Sequence, residues 1–244
     1  MTATPSGMTY ADYLKLPELL DLQQPLSTLH DEMLFIVIHQ TKELWMKQML
    51  HEVKLAMELI GADQFAPAYK ALSRVSRIQS VMTLSWDVLA TLTPVDYSKF
   101  RDVLGTSSGF QSAQFRELEY RLGVRDPRFL DYYEGGTEGR ERLKAALEEP
   151  SLWEVADAAR QRAGAASWLE VYRDADRWFE LYQLAEKLVD VDDALAGWRH
   201  KHVVTVERII GGKTGTGGSP GVKYLASTLT KRAFPELWSL RTEL

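Results

Sequence analysis

The sequence predicts an all-α protein, built as a bundle of long antiparallel helices. Apolar residues recur with helical spacing along nearly the whole chain, and no segment of any length alternates with the period of two that marks a strand. Three segments, residues 31–60, 65–91 and 167–210, are much longer than the other helical segments. Long helices of this kind pack side by side as a bundle.

The N-terminal region is predicted to hold one short helix and a turn. Residues 8–22 have the spacing of a helix that is broken or started at Pro17. The turn that follows offers Ser27 or Thr28 as the N-cap of the next helix, because both side chains can accept a hydrogen bond from the first turn.

The first long helix, residues 31–60, ends at Gly61. Its first half, MLFIVIH, is apolar on all sides, which predicts a helix that is buried all round. The next helices are predicted at residues 65–91, at 94–103 after the Thr93-Pro94 start signal, and from the residues after Gly109 to Gly123.

The second half of the chain begins with its least regular part. Residues 124–150 are polar and dotted with glycine, and are predicted to be the least structured segment. Helical spacing returns at 151–163 and at 167–210. A glycine-rich loop, 211–221, then precedes a last helix from 222 to about 232.

Composition narrows the class of protein and its surroundings. The chain has 244 residues, 45% apolar and 26% charged, as a globular domain does. The net charge of −5 argues against nucleic-acid binding, and no run approaches the ~18 apolar residues of a membrane span. The absence of cysteine excludes disulfides, thiol catalysis and covalent haem attachment. MTATPSGMTY lacks the features of a signal peptide, so a cytoplasmic location is expected.

His39 lies directly after the apolar run FIVI. Phe35 lies one turn before it and Glu43 one turn after it, on the same helix face. Two interpretations stay open: a core histidine bonded to a neighbouring helix, or one wall of a ligand pocket formed by Phe35 and His39. Glu43 is predicted to be a structural carboxylate bonded to another helix.

His200 and His202 are two residues apart on a helix, so they point to different sides. Trp198 shares the face of His202 and can support its ring, which makes His202 the better candidate metal ligand. His200 is predicted to be solvated or capping. The alternative is that neither histidine binds a metal.

The loop GGKTGTGGSPG follows a helix, whereas phosphate-binding glycine loops follow a strand. It is predicted to be a mobile lid in which Thr216 bonds a polar ligand group, the alternative being a flexible connection without contacts. Arg101, with Tyr97 one turn before it, has the pattern of a carboxylate clamp. A surface ion pair is the alternative for Arg101 and for Arg116.

Together these segments resemble the tryptophan 2,3-dioxygenase family. The matching segments occur in the family's order: MTYADYLKL, HDEMLFIVIHQTKELWMKQMLHEV, DYSKFRDVLGTSSGFQSAQFRELEYRLG, WRHKHVVTVERIIGGKTGTGGS and FPELW. The resemblance implies a single haem-binding helical domain over residues 1–244, assembled as a homotetramer. It also implies haem b, active as Fe2+, with O2 as co-substrate and L-tryptophan as substrate. The implied reaction inserts O2 across the indole C2–C3 bond and gives N-formylkynurenine.

The resemblance also implies a role for each matching residue. His202 corresponds to the proximal iron ligand, and His39 to the distal histidine that meets the indole N–H and orients the substrate. Arg101 corresponds to the partner of the substrate carboxylate. The other substrate positions are Phe35 on the indole, Tyr97 in the same site, Thr216 in the lid, and Ser108 and Gly109 in a turn near the distal side. The other haem positions are Trp198, Trp86 and Arg116, the last as a propionate partner.

Two further implications concern the N-terminal element and the periphery of the molecule. Tyr10, Tyr13 and Leu14 correspond to an N-terminal element, residues 1–25, that reaches into a neighbouring subunit's pocket. Residues 124–195 form a peripheral helical region that is shorter than in typical members of the family.

Pro220 is a departure in the lid, where a serine is common, and proline restricts the backbone and removes a donor. It keeps open the alternative of a related haem enzyme of secondary metabolism that inserts one oxygen atom into a substituted tryptophan or an indole. A non-catalytic haem sensor ranks lower, because the residues of the substrate clamp are all present. A haem-free helical interaction protein ranks lowest.

Overall fold

A computed structural model describes residues 7–244 of the chain. Within these residues the regular structure is entirely helical, so the prediction of an all-α protein is confirmed. The α-helices are α1 Tyr10–Leu14, α2 Leu16–Leu20, α3 His30–Gly61, α4 Phe65–Leu89, α5 Pro94–Phe100, α6 Ala113–Leu122, α7 Glu138–Glu148, α8 Leu152–Ala163, α9 Trp168–Arg173, α10 Phe179–Ile210, α11 Val222–Ser227 and α12 Pro235–Ser239. Short 3-10 turns occupy Arg101–Leu104, Gly109–Gln111, Pro127–Tyr132 and Leu240–Thr242.

The core is formed by the three long helices α3, α4 and α10. A short loop joins α3 to α4, so these two run antiparallel. The helices α4 and α10 run in the same direction: Tyr69 bonds the carbonyl of Glu180 near their N-termini, and Trp86 stacks on His202 near their C-termini. The first half of α3 therefore meets the last turns of α4 and α10 at one end of the bundle.

Residues 124–150 are more regular than the sequence predicted. They contain α7, whose first turn is capped by the Thr137 side chain. The glycines that predicted irregularity lie mostly in the turn before α7. A second small core, made by Tyr120, Phe129, Leu143 and Ala146, holds α7 against α6. Burial of a few apolar side chains thus outweighs the polar composition of the segment.

Of two predictions at the N-terminal end, one is confirmed in part and one was wrong. Residues 8–22 form two helices rather than one, and the break lies next to Pro17 as expected: Lys15 adopts a left-handed conformation (φ 53°) between α1 and α2, and Pro17 lies in the first turn of α2. The wrong prediction concerns the start of α3. The cap residue of α3 is Leu29, which makes no side-chain cap bond. Ser27 instead donates through its backbone N–H and its hydroxyl to Glu32 in the first turn of α3, and this carboxylate organises the turn.

The first half of α3 is not buried all round. Ile38 faces the core, but Met33 and Val37 are each 41% exposed. Within residues 7–244, α3 packs against α4, α5, α6 and α8, and the side of α3 that carries Met33 and Val37 stays exposed. This half of α3 thus has an apolar surface on its outer side.

Three differences lie toward the C-terminus. The predicted helix 167–210 is interrupted between α9 and α10, and the last predicted helix ends early, at Ser227. The sequence pattern did not predict α12, which is five residues long and too short to show periodicity. Among residues 7–244, no helix has both the length and the apolar character needed to cross a membrane.

A buried carboxylate attaches α12 to the bundle. Asp192 of α10 is 0% exposed, and its Oδ2 accepts bonds from the backbone N–H groups of Ala233 and Phe234 at 2.9 and 3.2 Å. It also accepts one from Trp238 Nε1 at 2.9 Å. Three donors converge on one carboxylate oxygen, so this residue fixes the position of the last described helix on α10.

Replacing Asp192 with alanine is expected to lower the free energy of unfolding by about 3 kcal/mol, because three buried donors lose their acceptor. Chemical denaturation of both proteins measures the difference. Asp193→Ala is the matched control, because Asp193 is exposed on the same helix, and its stability should stay near that of the parent. Equal stability of the two variants would contradict the assigned anchoring role.

Candidate active site

A cavity of about 510 Å³ lies where α3, α4 and α10 meet. The helix α6 and the loop 211–221 close its other sides. Its size and its apolar, aromatic lining are those of a small-molecule site. The predicted site residues that line it are Phe35, His39, Trp86, Tyr97, Ser108, Gly109, Arg116, Trp198, His202 and Thr216.

One wall is formed by Phe35 and His39 of α3, together with Tyr97. The rings of Phe35 and His39 are 4.2 Å apart, and those of Phe35 and Tyr97 are 6.0 Å apart. His39 Nδ1 lies 2.7 Å from the carbonyl oxygen of Phe35. Because a carbonyl oxygen only accepts, Nδ1 carries the proton in the neutral ring, and Nε2 is left as an acceptor. Of the two interpretations of His39, the geometry favours the pocket wall.

The opposite wall carries His202. Its ring stacks on Trp86 at 4.4 Å with an interplanar angle of 7°, and lies 5.2 Å from the ring of Trp198. The two indoles hold the imidazole in one orientation, as the spacing of Trp198 and His202 predicted. His200 is exposed on the other side of α10, in agreement with the prediction.

Burial keeps both imidazoles neutral. Loss of hydration lowers the pKa of His39 to about 4, although its bond to the Phe35 carbonyl acts in the opposite direction. Loss of hydration also lowers the pKa of His202 to about 3, with a smaller contribution from the charge of Lys42. Each ring therefore keeps a nitrogen lone pair at neutral pH, which can coordinate a metal ion or accept a hydrogen bond.

The stability of the ligand-free protein is expected to fall as pH falls. The unfolded chain binds protons on these two histidines near pH 6.5, whereas the folded chain does not until about pH 4 and 3. The unfolded state thus binds more protons, and stability rises with pH through this window. The lowered pKa of Lys42, about 6, acts in the same direction.

When the pH is lowered from 7 to 5, the two histidines together should reduce the free energy of unfolding by about 4 kcal/mol. Urea unfolding at each pH measures this change. His39→Leu should remove about half of this histidine contribution. His200→Leu should remove none, because His200 is exposed. A pH dependence that is the same in His39→Leu and in the parent would refute the neutral, buried state of His39.

The loop 211–221 lies closed against the turn 107–109. Arg101 donates through Nη2 to the carbonyl oxygen of Thr214, and Thr216 donates its hydroxyl to the carbonyl of Ser107 at 2.5 Å. A Cβ on Gly217 would lie 2.6 Å from Ser108 Cβ, so only glycine allows this close approach. These contacts disagree with the alternative of a connection without contacts. Pro220 is exposed and does not line the cavity.

Arg116 is 5% exposed, so it is not part of a surface ion pair. It pairs with Glu119, which also accepts a bond from Arg199 at 2.7 Å. Its Nε has no hydrogen-bond partner within residues 7–244. Glu43 accepts a bond from Gln114 of α6 at 2.8 Å, and so has the structural role that the sequence predicted.

Not every predicted residue lines the cavity, and the sequence did not single out every residue that does. Tyr10, Tyr13 and Leu14 are exposed and do not line this chain's cavity. Arg101 does not line it either, and contacts instead the loop 211–221. Lys42 does line it, one turn after His39. Its place on the helix face of His39 was the signal available in the sequence, but a lysine is usually solvated.

An all-helical bundle whose aromatic cavity is lined by two neutral imidazoles and bordered by a glycine-rich loop is typical of a protein that binds a flat, largely apolar molecule. The chain matches the family model described as tryptophan 2,3-dioxygenase at residues 1–167 and 157–244. The chain belongs to this family. The predicted family and the predicted enzyme class are thus confirmed.

Relatives with this name are similar along nearly their whole length. The tryptophan 2,3-dioxygenase of Caulobacter vibrioides is 63% identical over an alignment of 259 positions, which covers 97% of this chain and 98% of the relative. A protein of that name from Bacillus cereus is 52% identical over an alignment of 260 positions, which covers 98% of this chain and 93% of the relative. One from Ralstonia pickettii is 49% identical over an alignment of 260 positions, which covers 98% of this chain and 94% of the relative.

Proposed function

We propose that the protein is a haem-dependent dioxygenase that inserts both atoms of O2 across the indole C2–C3 bond of L-tryptophan, giving N-formylkynurenine. The observation that carries the proposal is that His39 and His202, from two different helices, line one aromatic cavity, and that Arg101 bonds the loop 211–221 beside it. The names of the curated relatives support it.

The residues of the cavity fit haem b. His202 is the only histidine of its wall, and residues 7–244 hold no cluster of three metal-ligating side chains, so a metal here must bring ligands of its own. His202 is the proposed axial ligand, with Trp86 and Trp198 fixing its ring and Arg116 available to a propionate. When bound, ferrous haem supplies the binding and activation of O2.

The remaining residues are proposed to hold the amino acid. His39 accepts the indole N–H at Nε2, and Phe35 and Tyr97 pack on the indole ring. Arg101 binds the carboxylate, which takes the place of the Thr214 carbonyl, and the Thr216 hydroxyl bonds the same end of the substrate.

Two features of the site concern protons and water. The reaction needs no strong base, so His39 acts by orienting the substrate in its neutral form. The lid 211–221 and the turn that contains Ser108 and Gly109 exclude water from the reacting atoms.

We also propose that the protein is a homotetramer, in which residues 1–25 of one copy complete the site of a neighbour. Tyr10 and Tyr13 are 75% and 74% exposed, and Leu14 is also exposed. Apolar side chains on the outer side of α3, among them Met33 and Val37, provide a surface for a second copy. Residues 1–6 of the N-terminal element lie outside the described residues. In this proposal residues 1–244 form one domain, with 124–195 as its shortened periphery.

Oxygen labelling tests the proposed reaction. The ferrous haem-loaded protein is incubated with L-tryptophan and 18O2, and the mass of the product is measured by mass spectrometry. N-Formylkynurenine with two labelled atoms is expected. A product with one labelled atom, or no turnover, would reject dioxygenation.

A further inference from the structure

Lys42 is a buried amine in the cavity. The side chain is buried (the residue is 5% exposed), and its Nζ makes no hydrogen bond within residues 7–244. The amine lies 2.8 Å from the centroid of the Trp86 ring, the same ring that stacks on His202. Burial without a polar partner disfavours the charged ammonium form and lowers the pKa of Lys42 to about 6, so a ligand that brings an anion would stabilise the protonated amine.

The other charged side chains of the cavity have polar partners. Arg116 and Arg199 both pair with the carboxylate of Glu119. Glu43 accepts a hydrogen bond from the side-chain amide of Gln114. Among the charged side chains that line the cavity, Lys42 alone lacks a polar partner in the described part of the chain. The cavity thus holds one amine without a polar partner, next to the Trp86 ring on which His202 stacks.

We propose that Lys42 binds a carboxylate of the cofactor, and so selects a flat apolar macrocycle that bears carboxylate groups. This inference rests on the proposed function, because haem is the ligand that it concerns. The substrate carboxylate is assigned to Arg101 at the lid, whereas Lys42 contacts Trp86 beside the proposed axial ligand.

A lysine suits this task because its compact charge sits on a flexible four-carbon stem. In the ligand-free cavity the amine rests on the face of the Trp86 ring. Rotation of the stem carries it to the ligand carboxylate when the cofactor enters. Lys42 is thus a binding residue for the edge of the cofactor.

A comparison of two ligands and three proteins tests the proposal. The ligand-free parent, Lys42→Met and Lys47→Met are titrated with haem and with its dimethyl ester, in which both carboxylates are blocked. Lys47 is the matched control, because it lies on the same helix but is exposed. Lys42→Met should bind haem about tenfold more weakly than the parent and bind the ester nearly as well as the parent does. Lys47→Met should behave as the parent does with both ligands.

Thermal unfolding of the ligand-free proteins gives a second measurement. Lys42→Met should unfold at a higher temperature than the parent, because it no longer buries an amine without a hydrogen-bond partner. If Lys42 had only a packing role, its replacement would lower the unfolding temperature and the affinity for both ligands. An equal loss of affinity for haem and its ester, an unchanged affinity for haem, or a lower unfolding temperature would overturn the proposal.

The same titration separates this inference from the proposed function. If the parent binds neither ligand, the haem-dependent function fails, and the role of Lys42 fails with it. If the parent binds haem and Lys42→Met binds it equally well, the role of Lys42 alone is rejected.

Discussion

Replacing His202 with alanine is expected to abolish stable haem binding and all dioxygenation, with the helical content unchanged. The imidazole of His202 stacks on Trp86 and lies beside Trp198, and burial keeps it neutral, with a lone pair available to iron. Its removal leaves a hydrophobic space without an axial ligand. Titration with haem, followed by its Soret absorption, and a tryptophan assay measure the two losses.

Two comparisons make this test specific. His200→Ala removes a histidine two residues away that is exposed, and this variant should match the parent in haem affinity and activity. Added imidazole should restore part of the Soret signal to His202→Ala, because it fits the space that the side chain leaves. Retention of the parent's Soret band by His202→Ala would contradict the assignment of His202 as the ligand.

Helical periodicity predicted the parts of the site that lie on one helix. Phe35 and His39 are four residues apart, as are Trp198 and His202, and a spacing of four places side chains on one face. These pairs contact each other as expected. The resemblance to a family, rather than periodicity, brought α3 and α10 together, because spacing along one helix carries no information about its neighbours.

Four features depend on contacts that sequence spacing does not encode. The parallel direction of α4 and α10 follows from the long connection between them, and the bond between Arg101 and the Thr214 carbonyl joins residues 113 positions apart. Met33 and Val37 are exposed, although the sequence predicted that they lie in the core. An apolar residue does not reveal whether its neighbour belongs to the same chain. Lys42 was missed because a charged residue in a helix is usually solvated.

Replacing Arg101 with methionine is expected to weaken the binding of L-tryptophan by about 100-fold, because a charge-assisted bond to the carboxylate is lost. Tryptamine has the indole ring and the amine but lacks the carboxylate. It should bind the variant and the parent with nearly equal affinity. Calorimetric titration of the haem-loaded proteins with both compounds measures the difference.

The tryptamine comparison also separates two roles of Arg101. The guanidinium bonds the Thr214 carbonyl, so its removal also frees the lid, and a looser lid would weaken both compounds alike. A loss confined to L-tryptophan means that the guanidinium recognises the carboxylate itself. Equal losses of affinity for the two compounds would contradict recognition of the carboxylate by Arg101. The role of Arg101 would then be limited to holding the lid. Arg101→Lys should fall between these limits, because an ammonium group keeps the charge but not the two-pronged geometry that matches a carboxylate.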